Sequence, residues 1–74
     1  MALEVELSGQ LLPGTDRRLT LLLDRAMTVR EVVDRLGMDP EEIGLIVVNG
    51  IQSELDDLVP LDGRVCFYPP MTGG

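Results

Sequence analysis

The sequence predicts an α+β roll, a mixed sheet of four to five strands with one main helix packed on one face. Three observations predict it. Residues 2–8, ALEVELS, alternate apolar and polar side chains with the period of a half-buried strand. Thr28 to Gly37 is the one long stretch whose apolar residues recur at helical spacing. The remainder divides into short apolar runs separated by Pro13-Gly14, Asn49-Gly50 and Asp62-Gly63, which are turn signals. A lone amphipathic helix among several strands can bury its apolar stripe only against the sheet.

Each element has its own local cause. In the first strand Leu3, Val5 and Leu7 share one face, and Glu4, Glu6 and Ser8 the other. Gly9 to Arg18 reads as a loop. Residues 19–24, LTLLLD, form a second strand with Leu19, Leu21 and Leu23 inward and Leu22 outward. Thr28 is placed to cap a helix, and Glu31, three residues on, can reach back to the cap. Val29, Val32, Val33 and Leu36 make its apolar face, and Gly37 is its C-terminal stop. Asp39-Pro40-Glu41-Glu42 reads as a capped turn of helix with proline at its first position. The run GLIVV, residues 44–48, is expected to be a strand buried on much of both faces. Asn49-Gly50 is a tight turn, with a short return strand from Ile51. Arg64 to Tyr68 is the last strand, with Val65 and Phe67 alternating against Cys66 and Tyr68. Pro69 and Pro70 cannot donate to a ladder, so the sheet ends there. The order fits the β-grasp, or ubiquitin-like, fold, with residues 1–68 as the domain and 69–74 as a flexible C-terminal arm.

Composition narrows the function. The 74 residues make one small domain without internal repeats, and 45% of them are hydrophobic, too many for a disordered chain. Acidic residues number 13 against 6 basic ones, a net charge of −7. That argues against nucleic acid, whose affinity comes from neutralising phosphates, and favours a basic protein surface. Cys66 is the only cysteine, so no disulfide closes within one chain, and no cysteine-ligated zinc or iron–sulfur site forms there. Histidine is absent, which removes the usual general base near neutral pH. Lysine is absent too, so no side-chain amine is present to accept an acyl group. The N-terminus has no basic segment before its apolar residues, and no apolar run is long enough to span a bilayer. The expectation is a cytoplasmic protein with no membrane partner.

The chain closes on FYPPMTGG. Two prolines stiffen an extended arm, and two glycines leave its end slim. An enzyme that acts on a terminal carboxylate needs a thin chain to thread into its site and no side chain beside the carbonyl carbon it attacks. The bland alternative is a fraying end.

Phe67 through Gly74 closely resembles the terminus of the small subunit of molybdopterin synthase. That family's pattern is two aromatics, two prolines, an aliphatic residue, Thr or Ala, and Gly-Gly. Thr28-Val29 at the helix start, Val48-Asn49 before the return strand and Asp62-Gly63 before the last strand resemble the same family. The thiamine-pathway sulfur carrier shares the fold and the Gly-Gly, but usually lacks the proline pair. The resemblance implies a sulfur carrier that catalyses nothing itself and binds no cofactor or metal. A ubiquitin-activating-type enzyme would use ATP to adenylate the carboxylate of Gly74. A sulfur donor protein would displace AMP and leave a thiocarboxylate. Inserted into the large subunit of molybdopterin synthase, that group would give sulfur to a pterin precursor of the molybdenum or tungsten cofactor. Phe67, Tyr68, Pro69, Pro70, Met71, Thr72 and Gly73 would be the recognised tail, and Gly74 the modified residue.

Other residues carry weaker signals. Leu22, Cys66 and Tyr68 share the outward parity of their strands and would form an apolar partner surface on the open face. The family pattern adds Leu45 and Val47 on or near it. Cys66 lacks an activating neighbour in the sequence and reads as a small hydrophobe. Asp56, Asp57 and Asp62 match no cation-binding loop, and Arg17-Arg18 reads as a loop charge pair. Three other functions share these features: a ubiquitin-like modifier joined through Gly74 to a lysine of another protein, a thiamine-pathway carrier, and a plain β-grasp binding module.

Overall fold

The structure is a computed structural model, and it describes residues 2–8 and 18–70. Of the loop expected from Gly9 to Arg18, residues 9–17 lie outside the described residues, as do the arm residues Met71 to Gly74, and Arg18 instead opens a strand. In chain order the elements are β1 (Ala2–Leu7), β2 (Arg18–Leu22), β3 (Met27–Thr28), α1 (Val29–Leu36), a 3-10 turn (Pro40–Glu42), β4 (Leu45–Val48), β5 (Ile51–Ser53), β6 (Leu58–Val59) and β7 (Arg64–Tyr68). Five strands form one mixed sheet in the order β2-β1-β7-β4-β5. The first and last strands of the fold, β1 and β7, lie parallel at its centre, and the other pairings are antiparallel.

The helix forms where its caps dictate. The Thr28 hydroxyl accepts the Glu31 N–H at 3.2 Å, and the Glu31 carboxylate accepts the Thr28 N–H at 3.2 Å. Two more of the free amides at this end find carbonyls in a distant loop. Val29 N–H donates to Asp57 and Arg30 N–H to Leu55, at 2.8 and 2.9 Å. At the other end Gly37 adopts φ 76°, and its N–H returns to the Asp34 carbonyl.

The inward face of the sheet meets the apolar stripe of the helix. Val29, Val32 and Val33 of α1 pack in one buried cluster with Leu3 and Val5 of β1 and Phe67 of β7. No polar or charged residue is buried among the described residues, so the interior gains stability from apolar burial alone.

Two expectations are corrected. β4 is not buried on both faces. Ile46 is buried, but Leu45 is 38% exposed and Val47 only half-buried, because no layer among the described residues covers the outer face of the sheet. A second, two-stranded ribbon was not expected either: Met27-Thr28 pairs antiparallel with Leu58-Val59 and holds the 54–59 segment against the start of the helix.

Candidate functional site

The site grows from the end of β7, the central strand. Its alternation puts Val65 and Phe67 inward, both fully buried, and Cys66 and Tyr68 outward. Phe67, expected among the recognised tail residues, has no exposed surface and anchors the strand from which the arm departs.

The ladder holds β7 to its last residue. Ser8 N–H donates to the Phe67 carbonyl at 2.9 Å from the β1 side, and Gly44 N–H donates to the Tyr68 carbonyl at 2.8 Å from the β4 side. Then the prolines end it. Neither has an N–H to continue a ladder, and both Pro69 and Pro70 are exposed. The other end of β7 is held by Asn49, at the β4–β5 turn. Asn49 and Gly50 take φ 50° and 82°, the left-handed pair of a two-residue hairpin. The Asn49 side-chain oxygen accepts the Arg64 N–H at 2.9 Å, and the Asn49 N–H donates to the Arg64 carbonyl at 2.8 Å. Met71, Thr72, Gly73 and Gly74, the rest of the expected tail, lie outside the described residues.

Register fixes which outward side chains are neighbours. Cys66 lies opposite Val47, and Tyr68 opposite Leu45. These four make a contiguous apolar group on the outer face, beside the root of the arm. Leu22 shares that face and is 76% exposed, but it does not join the group. It pairs with Ala2, whereas Cys66 pairs with Glu6 across the central ladder. Two strand spacings and four residues of rise put it roughly 16 Å from Cys66. Between them stand Glu4, Thr20 and Arg64, which share one register row. Strand parity assigns a residue to a face but not to a position along it, so the expected grouping of Leu22 with Cys66 and Tyr68 fails.

The cysteine is not poised for attack. Its thiol is pushed above the usual range, first by burial and then by the Glu6 carboxylate, which accepts its S–H at 3.5 Å. Glu6 also faces Arg18, Nε to carboxylate, at 3.7 Å. The acidic loop is likewise structural. Asp57 accepts the Glu54 N–H at 2.8 Å and closes its own turn, and Asp56 meets Arg30 at 3.3 Å. No cluster of three or more metal-ligating side chains occurs among the described residues. No helix among them is long and apolar enough to cross a membrane.

Two site residues escaped the sequence reading. Asn49 was legible as a turn residue, but its bond to Arg64 joins distant segments and leaves no local trace. Gly44 was legible only as the first residue of an apolar run. Its role is spatial: a β-carbon there would collide with the Pro70 α-carbon, and would lie 2.7 Å from Pro70 N and 2.8 Å from the Pro69 carbonyl oxygen.

Known proteins give the fold and a family. The family described as Mut7-C ubiquitin matches residues 3–73, nearly the whole chain. No curated protein matches. The crystal structure of SAMP1 from Haloferax volcanii superposes with a TM-score of 0.76, and the match covers 100% of both chains at 20% identity. At that identity the likeness speaks for the fold, and the fold it gives is the ubiquitin-like β-grasp.

Proposed function

We propose, from the premise that this chain belongs to the Mut7-C ubiquitin family, that it is a non-catalytic sulfur carrier activated at the carboxylate of Gly74. The observation that carries the reading is the root of the arm. The central strand is held to Phe67 on the β1 side and to Tyr68 on the β4 side, and Pro69-Pro70 then leave the ladder, as a rigid base for a slim Gly-Gly end. On this reading the chemistry belongs to partners acting on the arm.

A carboxylate oxygen of Gly74 attacks the α-phosphorus of ATP, and pyrophosphate leaves. The acyl adenylate has a good leaving group where the carboxylate had none. Hydrosulfide delivered by a sulfur donor protein then attacks the acyl carbon and displaces AMP, leaving the thiocarboxylate. If the donor is a persulfide, its outer sulfur attacks instead, and a thiol must then cleave the resulting sulfur–sulfur bond. Three partners follow: an adenylating enzyme of the ubiquitin-activating type, the sulfur donor, and an acceptor that takes sulfur from the arm. ATP belongs to the first of these. The net charge of −7 favours basic docking surfaces on them. The finer assignment is molybdopterin synthesis, with the large synthase subunit as acceptor, and it rests on the proline pair within FYPPMTGG.

Intact-mass analysis of the protein taken from its native cells tests the reading. One oxygen replaced by sulfur is expected. Methionine oxidation has nearly the same mass, and the chain has 4 methionines, so fragmentation must place the change on Gly74. A Gly74 carboxylate joined instead to a lysine of another protein would support the modifier reading. An unmodified end in cells making the pterin cofactor would overturn the carrier reading.

A further inference from the structure

We propose that Gly44 is a positioning residue, the seat on which the root of the arm rests and which sets the direction in which the arm leaves the sheet. The proposal rests on the carrier reading and deepens it.

Gly44 lies just before β4, alongside the point where the chain departs from β7. Its N–H fixes the Tyr68 carbonyl at 2.8 Å, the last bond before the prolines. Its α-carbon faces the arm so closely that a β-carbon would overlap the Pro70 α-carbon, with Pro70 N at 2.7 Å and the Pro69 carbonyl oxygen at 2.8 Å. All three are backbone atoms, so no side-chain rotation relieves the contact. Glycine is required here for close approach and not for its dihedral freedom, since its φ is not in the left-handed region.

The consequence is directional. Proline fixes φ at both positions, and the residue before each proline is held extended, so the freedom left at the root is a small set of ψ rotations. The contact with Gly44 removes that freedom. A methyl group at residue 44 must push the pair away from β4, and that changes the direction in which the chain beyond Pro70 sets out from the sheet. Effects of this kind on reacting groups are large, because about 1 Å of misplacement can cost about a hundredfold in rate.

The test is a double-mutant cycle in the full chain. Gly44→Ala is made in the natural background and in a second background carrying Pro69→Gly and Pro70→Gly, where the freed arm can swing clear of the methyl. Each protein is assayed for ATP–pyrophosphate exchange with the adenylating enzyme, and its Tm is measured. The natural chain should show a nuclear Overhauser contact between the α-protons of Gly44 and Pro70, absent after Gly44→Ala. Gly44→Ala should lower kcat/KM by about tenfold or more in the natural background. It should add almost nothing in the freed-arm background, and any fall in Tm should be relieved there too. Equal losses in both backgrounds would mean that Gly44 serves the sheet and not the arm, and would overturn the proposal. So would unchanged kcat/KM in the natural background. If the natural chain itself supports no exchange, the carrier reading fails, and the contact and the Tm coupling decide alone whether Gly44 seats the arm.

Discussion

Replacing Val33 by aspartate should unfold the domain, while the same change at Leu22 should leave it folded. Val33 has no exposed surface and packs between helix and sheet. Removing its burial costs about 1.5–3 kcal/mol. A carboxyl group placed there finds no partner, since no polar residue is buried among the described residues, and its desolvation costs about 2–4 kcal/mol more. A domain of 74 residues is stable by roughly 4–11 kcal/mol in all, so the sum removes a large share of it or all of it. Leu22 is 76% exposed, so aspartate forfeits only about a quarter of a leucine's burial, about 0.5 kcal/mol. Tyr68→Asp, on the same outer face, should fall between them at about 1–2 kcal/mol. Urea titration followed by far-ultraviolet circular dichroism reads all three. Comparable losses for Val33→Asp and Leu22→Asp would refute the assignment of faces, and with it the location of the exposed apolar group beside the arm.

Three further outcomes are expected. The Glu31 carboxyl is held below its ordinary value of 4.5, first by the hydrogen bond from Arg25 and then by the Thr28 amide. A depressed folded pKa contributes stability that is present above 4.5 and lost as pH falls through the folded value, so the stability gap between wild type and Glu31→Gln should shrink on acidification; a gap independent of pH would exclude that linkage. Cys66, raised by burial and by Glu6, should react with iodoacetamide at neutral pH far more slowly than the unfolded chain, and Glu6→Gln should speed it; equal rates for folded and unfolded protein would contradict the geometry. Pro69→Gly with Pro70→Gly should weaken binding to the adenylating enzyme without moving Tm, because the free arm gains conformations that binding must remove; calorimetry showing unchanged affinity would mean that stiffness contributes nothing.

What the sequence disclosed was what is locally encoded. ALEVELS alternates because one face of β1 is buried, and the structure buries Leu3, Val5 and Leu7. Thr28 and Glu31 lie within one turn of each other, so their reciprocal cap was legible as a four-residue pattern. Asn49-Gly50 marks its hairpin because both residues must take positive φ. What stayed hidden depends on segments far apart in the chain. The β3–β6 ribbon has two residues on each side, too few to show a period. Leu22 was placed on the correct face, but its distance from Cys66 comes from pairing register, which parity does not contain. Gly44 looks like any residue opening an apolar run until the chain returns to lay Pro69-Pro70 across it.

If the carboxylate of Gly74 is the reacting group, ATP–pyrophosphate exchange must depend on it. The full chain and a chain lacking only Gly74 are each incubated with the adenylating enzyme, ATP and labelled pyrophosphate. Removing one residue from the arm leaves every described contact of the fold in place, so both proteins should have the same Tm. The full chain should drive exchange, and the shortened chain, whose carboxylate falls one residue short of the site, should drive none. Exchange at the same rate with both would contradict the claim.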